Sequence, residues 1–273
     1  MAHYPTLQIQ TEAGVHTIVL NRPEKRNALT PQLMDDLTHA LEAAADNARC
    51  RVVILTGAGS AFCAGLDLEH LRAMLPGGDP NETKAAQELR DYQADAGRIA
   101  NLLRTIYCLP QPTIAAVNGP AIAGGMGVAT LCDFTLAVPE AKFGYTEVRI
   151  GFIPAIVSAY LRTQVGDKRS RDLLLTGRLI DAAEAERLGL VTRVVPEPEL
   201  MGEARALAER LLRNSAAAME ATKGLLGKFS DRYLRDDIEA AILASVRART
   251  SEDFREGVSA FLEKREPRWP SAQ

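Results

Sequence analysis

One pattern occurs twice in the sequence: in Val52-Val53-Ile54-Leu55-Thr56-Gly57 followed by Ala64-Gly65, and in Thr113-Ile114-Ala115-Ala116-Val117-Asn118-Gly119 followed by Ala123-Gly124. Each copy begins with an apolar run that is typical of a buried strand, and the run ends at a glycine. Each Ala-Gly step then precedes a predicted helix, whose first amides have no acceptor within the helix. If the two strands are neighbours, these turns together form an anion site made of backbone amides.

The remaining patterns predict a mixed core followed by a helical region. Residues 7–11 and 15–20 alternate as a β-hairpin does, and Thr30-Pro31 predicts the cap and first residue of a helix. Residues 76–81 predict a mobile loop before a long helix that ends near Leu109. Residues 124–131 predict a helix and 134–138 a strand. After Pro196 helical patterns dominate, at 200–212, 215–226, 233–249 and 252–264, so the fold class is α/β with a helical C-terminal part.

Composition excludes several classes of protein. The net charge is −3 and the isoelectric point about 5.9, so no basic surplus predicts a nucleic-acid or membrane-surface partner. The four cysteines form no C-x-x-C pair and have no histidine at metal-ligand spacing, which favours buried free thiols and no metal site. The N-terminus has no secretory pattern, and no apolar run reaches the ~18 residues that span a bilayer. We therefore expect a cytoplasmic protein.

Four motifs carry a resemblance to a known family. The segment from Ser60 to Leu68 (SAFCAGLDL) resembles the first oxyanion-hole motif of the crotonase (enoyl-CoA hydratase/isomerase) superfamily, and Asn118 to Gly125 (NGPAIAGG) resembles the second. The N-terminal Asn21-Arg22-Pro23 with Asn27-Ala28-Leu29, and residues 261–265 near the end, are also typical of this family. The resemblance implies a spiral of ββα units, with residues 1–196 forming the core with the CoA and acyl site. It implies that residues 197–273 form a helical oligomerisation region, in a homotrimer or dimer of trimers.

The resemblance also implies a set of site residues. The amides of Leu66 and Gly124 would form the oxyanion hole, and Asp67 would be structural at the start of a helix. Lys25 and Arg26 are either partners of the CoA phosphates or part of a solvated basic loop. The implied substrate-binding set is Lys25, Arg26, Ala28, Ala64, Gly65, Asp67, Leu68, Gly125 and Gly127. Taken alone, the glycines are equally well explained by tight strand–helix packing.

The proton-transfer group is predicted at Glu147. Hydratases of this family typically carry two glutamates, and Phe143-Gly144-Tyr145-Thr146-Glu147 resembles the segment that holds the second. Gly127 stands where the first would be, so a mechanism with two carboxylates does not transfer to this chain. Burial among apolar neighbours would raise the pKa of Glu147, whereas a helix start at Thr146 would lower it.

Three functions follow as alternatives. The first is hydration or dehydration of an enoyl-CoA, branched or carboxylated, since residues 144–155 resemble bacterial methylglutaconyl-CoA hydratases. The second is isomerisation of the double bond by Glu147 alone, and the third is an inactive protein that binds CoA thioesters. Arg149 is either a partner for a substrate carboxylate or a surface charge, and His70 either reaches the mouth of the site or has a surface or packing role. No cofactor is expected other than coenzyme A as part of the substrate, and residues 75–84 are expected near the acyl pocket.

Overall fold

The structure is a computed structural model that describes residues 4–75 and 82–272, apart from the side chains at 82–85 and 230–233. Its strands are β1 (Leu7–Glu12), β2 (Val15–Leu20), β3 (Val52–Gly57), β4 (Thr113–Val117), β5 (Ala121–Ile122), β6 (Phe134–Ala137), β7 (Lys142–Gly144), β8 (Ile180–Asp181) and β9 (Arg193–Val194). Its α-helices are α1 (Pro31–Ala45), α2 (Leu68–Ala73), α3 (Glu82–Cys108), α4 (Gly124–Thr130), α5 (Ala155–Thr176), α6 (Ala182–Arg187), α7 (Leu200–Leu212), α8 (Ala216–Arg249) and α9 (Glu252–Leu262).

The main sheet makes the two Ala-Gly turns neighbours. Its order is β1-β2-β3-β4-β6-β9, with an antiparallel β1–β2 hairpin and parallel pairs from β2 onward. The repeated strands β3 and β4 pair directly, with Val53 opposite Thr113, so both following turns leave the same edge of the sheet. The predicted hairpin and the two buried strands are confirmed, and the two strands are neighbours, which is the condition for a shared amide site.

The start of α1 follows the predicted capping pattern. The Thr30 side chain accepts a hydrogen bond from the Leu33 amide at 3.2 Å, and Pro31 occupies the first helical position. One face of α1 is buried through Leu33, Leu37 and Leu41. This face packs against α3, which covers the same part of the core.

The C-terminal region differs from the prediction in one respect. The two helices expected at 215–226 and 233–249 are a single helix, α8, capped by the side chain of Ser215. Helix α8 runs through Gly224 and Gly227, because each glycine in a helix costs only about 1 kcal/mol relative to alanine. Helix α8 packs on α3 and α5, and α7 buries Leu200 and Ala204 in the main core. The boundary at 196 stays a prediction, because α7 shares the core of the preceding residues.

Several elements had no clear signal in the sequence. Between residues 139 and 196 the structure contains β7, β8, β9, α5, α6 and a 3₁₀ turn, Glu147–Ile150. Cys50, Cys63 and Cys132 are buried free thiols as expected, whereas Cys108 is exposed. The loop predicted at 76–81 lies outside the described residues. Within the described parts of the chain, no helix is long and apolar enough to cross a membrane.

Candidate active site

A cavity of about 380 Å³ lies where the two Ala-Gly turns meet the 3₁₀ turn of Glu147. Its wall is mostly apolar, which suits an acyl chain. The lining residues come from both turns, from the segment after β7, and from the last helices. They are Arg26, Ala64, Leu66, Leu68, Leu71, Ile99, Ile122, Ala123, Gly124, Thr146, Glu147, Arg149, Ile150, Phe152, Ile153, Pro154, Ala155, Ile156, Val157, Ser245, Arg249 and Phe261.

The first turn presents the amide of Leu66. The Leu29 amide donates to the Gly65 carbonyl at 2.7 Å, and the Asp67 amide donates to the Leu29 carbonyl at 2.9 Å. These two bonds fix the backbone on either side of Leu66, whose own N–H has no acceptor among the described residues. Gly65 has a φ of +87°, which a residue with a side chain rarely adopts. The turn therefore holds one free donor at the cavity wall.

The second turn presents the amide of Gly124, the first residue of α4. The Ala123 amide donates to the Gly144 carbonyl at 2.7 Å, which fixes the start of the helix against β7. A helix start leaves its first amides unpaired, and the Gly124 N–H has no acceptor among the described residues.

The two turns are in direct contact. The Ile122 amide donates to the Cys63 carbonyl at 2.9 Å. A Cβ atom at Gly65 would lie 2.8 Å from the Ile122 carbonyl oxygen, and one at Gly125 would lie 2.3 Å from the Cys63 carbonyl oxygen. Glycine is therefore required at both positions for backbone to meet backbone. This packing brings the two free amides to one cavity.

Glu147 faces the same cavity from the 3₁₀ turn. The residue is half-buried, and its Oε2 is buried with no hydrogen-bond partner among the described residues. Burial raises the pKa of Glu147 to about 7, although a backbone hydrogen bond at its own residue lowers it. No other Asp or Glu is found among the described residues that line the cavity. A carboxyl group with this pKa can accept and return a proton near neutral pH.

Gly127 lies behind the cavity wall. A Cβ atom there would be 3.0 Å from Val157 Cγ1 and 3.4 Å from Leu103. Val157 itself lines the cavity, so it occupies the direction in which a side chain at 127 would extend. Where the resemblance places a first glutamate, this chain therefore has a glycine in contact range of the apolar Val157 side chain.

The structure divides the other predicted binding residues into two groups. Arg26, Ala64 and Leu68 line the cavity, whereas Lys25, Ala28, Gly65, Asp67, Gly125 and Gly127 do not. Lys25 forms an exposed ion pair with Glu69 at 2.9 Å. Asp67 caps α2 through the amides of Glu69 and His70.

Two further arginines, one that supports the first turn and one that lines the cavity, were not predicted as site residues. Arg22 donates to the Ala28 carbonyl at 2.5 Å and lies 3.4 Å from Asp67, so it ties the N-terminal loop to the first turn. Arg249, from α8, lines the cavity and is buried. Nothing local in the sequence marks Arg249, because its ion-pair partner Asp95 lies on another helix far away in the chain.

Comparisons with known proteins agree on one family. Residues 10–272 match the family model described as enoyl-CoA hydratase/isomerase. The chain is 42% identical over 262 residues to a putative enoyl-CoA hydratase of Thermus thermophilus, covering 96% of this chain and 100% of that protein. It is 32% identical to a crotonyl-CoA hydratase of Syntrophomonas wolfei, covering 96% of each. The crystal structure of an enoyl-CoA hydratase/isomerase from Xanthobacter autotrophicus matches with a TM-score of 0.85, 29% identity and coverage of 98% and 100%.

Proposed function

Since the chain belongs to the enoyl-CoA hydratase/isomerase family, we propose that it hydrates an enoyl-CoA through a thioester enolate, with Glu147 as its proton-transfer group. One observation carries the proposal. A half-buried glutamate with a pKa near 7 shares a cavity with two backbone amides that have no acceptor among the described residues. These are the groups that addition of water to an enoyl thioester requires.

The two amides stabilise the charge that develops on the thioester oxygen. When water adds at the β carbon, electrons move from the double bond to that oxygen. The Leu66 and Gly124 N–H groups are fixed before the reaction, so they donate without reorganisation. A donor of this kind is typically worth about 3 kcal/mol in the transition state.

Glu147 then supplies both proton transfers. Its carboxylate takes a proton from water while the water oxygen bonds to the β carbon. The protonated Glu147 returns that proton to the α carbon of the enolate, which restores the thioester carbonyl. One carboxylate is sufficient when both transfers occur on one face of the substrate. Coenzyme A takes part only as a component of the substrate.

Isomerisation is the second candidate, and the geometry at Gly127 favours it. The described lining contains one carboxylate, and Val157 fills the space next to Gly127. A single carboxylate can remove a proton from the γ carbon and return it to the α carbon, which moves the double bond without water. The third candidate, an inactive protein that binds CoA thioesters, would not require a glutamate with a pKa near 7.

The substrate is proposed to be branched or carboxylated, as the segment around Glu147 suggests. Arg149 lines the cavity but is exposed, so it is a partner for a carboxylate only near the entrance. Arg26 also lines the cavity and is proposed to meet a CoA phosphate. We propose that Lys25 adds charge there, since its ion pair with Glu69 is exposed and worth little.

The test is an assay with crotonyl-CoA, 3-methylglutaconyl-CoA and a 3-enoyl-CoA. Hydration should fall by at least about a hundredfold in Glu147→Gln, in line with the usual contribution of general acid–base catalysis. The matched control is Glu197→Gln, which changes an exposed glutamate and should keep full activity. Migration of the double bond without hydration would show that the protein is an isomerase and not a hydratase. Tight binding of the thioesters with neither reaction would show that it is an inactive protein that binds CoA thioesters.

A further inference from the structure

Arg249 is a buried cation in the wall of a mostly apolar cavity. It occupies the C-terminal end of α8, and both it and Asp95 have side chains only 1% exposed. Ser245, one helical turn earlier on the same face, is also buried and lines the cavity. Burying a charge costs free energy unless the charge is paired, so the presence of a guanidinium at this position requires an explanation.

The described residues satisfy the guanidinium only in part. Nη2 donates to Asp95 Oδ2 at 2.6 Å, and among the described residues Nη1 has the Met74 sulfur alone, at 3.9 Å. Nε is buried and has no acceptor among the described residues. An arginine carries five N–H donors, and a single carboxylate oxygen cannot occupy all of them. Glu147 and Arg249 are thus the two described lining residues with a buried, unpartnered charged-group atom.

Aromatic and apolar side chains fix the guanidinium beside the Glu147 turn. Its central carbon lies 5.5 Å from the Phe152 ring and 6.0 Å from the Tyr92 ring. Phe152 donates its amide to the Glu147 carbonyl at 3.1 Å. Phe152 also belongs to a small apolar cluster with Leu71.

Arg249, Asp95 and His70 form a polar cluster, and its charge is compatible with a hydrogen-bond acceptor from the substrate. Arg249 and Asp95 cancel formally, and His70 Nε2 lies 3.1 Å from the other Asp95 oxygen, Oδ1. With His70 protonated the cluster carries +1, which a carboxylate would neutralise. With His70 neutral the cluster is neutral, and a carbonyl or hydroxyl oxygen would fit.

We propose that Arg249 determines acyl specificity by donating a hydrogen bond to an oxygen on the acyl group, away from the thioester. The substrate class is then enoyl thioesters whose acyl chain carries a carboxylate or a neutral oxygen acceptor, and purely hydrocarbon chains bind less well. This inference rests on the proposed function only in treating the cavity as the acyl site. It assigns the polar contact to Arg249 and not to the exposed Arg149.

A purely structural role makes a different prediction. If the ion pair only joins α8 to α3, its removal lowers the melting temperature and leaves the preference among acyl groups unchanged. Binding of saturated thioesters separates the two roles, because these ligands cannot be hydrated. It also separates this inference from the proposed function, which depends on turnover.

The experiment compares three thioesters of nearly equal shape by calorimetry. Glutaryl-CoA carries a carboxylate, glutaramyl-CoA a neutral amide, and 5-methylhexanoyl-CoA an apolar branch. The full-length protein should bind one or both oxygen-bearing ligands at least about tenfold more tightly than the apolar ligand, as expected for a hydrogen bond to a charged group. Preference for glutaryl-CoA alone identifies a carboxylate as the acceptor, and equal preference for glutaramyl-CoA identifies a neutral oxygen.

Variants test whether the preference for oxygen-bearing acyl groups depends on Arg249. Arg249→Met should lose it, and so should Asp95→Asn combined with Arg249→Met, which leaves no unpaired buried charge if the single variant unfolds. Arg247→Met, the matched change of an exposed arginine on the same helix that does not line the cavity, should retain it. The proposal is overturned if the unmodified protein shows no preference, or if the preference survives in either folded Arg249 variant.

Discussion

Burial raises the pKa of Glu147 to about 7, and only a backbone hydrogen bond at its own residue opposes the shift. The apolar side chains that follow Glu147 were visible in the sequence, and so was the opposing helix start. Their balance was not, because it depends on how α9 and α5 pack on the 3₁₀ turn. The contact of Val157 with Gly127 could not be predicted from the sequence either, since these residues meet through the packing of α4 on α5.

The rate of hydration should therefore rise with pH. Glu147 must begin as a carboxylate in order to take a proton from water, and its charged fraction grows as the pH rises through about 7. We expect kcat/KM to fall about tenfold per pH unit below 7 and to level above about 8. Crotonyl-N-acetylcysteamine, which has no phosphates, serves as the control substrate. A rate that falls as the pH rises would mean that the protonated form is the active one.

Glu147 should also make stability depend on pH. Its folded pKa of about 7 lies above the ordinary 4.5, so the folded state holds the proton more strongly than the unfolded state. The associated stability is complete below pH 4.5 and is lost as the pH rises to about 7. Between pH 5 and 8, Glu147→Gln should gain about 2 kcal/mol in free energy of unfolding relative to the unmodified protein.

Urea unfolding of both proteins at equal concentration measures this difference. The control is Glu197→Gln, where the carboxylate is exposed and forms no ion pair within the described residues, so the difference should stay constant with pH. An unchanged difference for Glu147→Gln would show that the folded site does not retain the proton.

At the scale of elements, two glycines let α9 lie directly on the 3₁₀ turn that begins at Glu147. A Cβ atom at Gly257 would be 2.3 Å from the Ile150 carbonyl group, and one at Gly151 would be 2.2 Å from the Asp253 carbonyl oxygen. Gly151 also has a φ of +65°. The helical pattern of the sequence predicted α9. The contact of Gly257 with the 3₁₀ turn could not be predicted, because it joins segments about a hundred residues apart.

Gly257→Ala should therefore damage both stability and activity. The added methyl group meets backbone, which cannot move out of its way as a flexible side chain can. We expect a loss of about 1–3 kcal/mol in the free energy of unfolding, as in other overpacked cores. We also expect at least a tenfold fall in kcat, because a small displacement of Glu147 affects its alignment with the substrate. Thermal unfolding and crotonyl-CoA hydration measure the two effects.

Gly202→Ala is the matched control. Gly202 is exposed on α7 with no neighbouring atom within 4 Å of an added methyl group. It should keep full activity and gain up to about 1 kcal/mol from better helix propensity. Full activity in folded Gly257→Ala would show that α9 does not position the glutamate.

For the whole molecule, the sequence predicted the fold class and the family because both depend on local motifs in a fixed order. The match to the family over residues 10–272 and the likeness to solved structures confirm the crotonase fold. What could not be predicted is how distant helices close the cavity. Asp95 and Arg249 meet across α3 and α8, and neither has a neighbouring motif that would indicate the pair. The wall of the cavity at Arg249 is therefore a product of tertiary packing.

Assembly is the remaining prediction at this scale, and α8 offers a surface for it. Leu225, Leu226 and Phe229 are 53%, 61% and 70% exposed, and their spacing places them together on the helix. An apolar patch of this kind marks an interface more often than free surface. We expect light scattering after size exclusion to give about 90 kDa or about 180 kDa, for three or six chains of 29.6 kDa.

Leu225→Glu combined with Phe229→Glu should shift the mass toward the monomer, because two carboxylates would be buried without partners in the interface. Leu175→Glu is the control: Leu175 is 71% exposed on α5, outside the C-terminal region. It should leave the mass unchanged. A monomeric unmodified protein at micromolar concentration, or an unchanged mass in the double variant, would assign this face of α8 to another role.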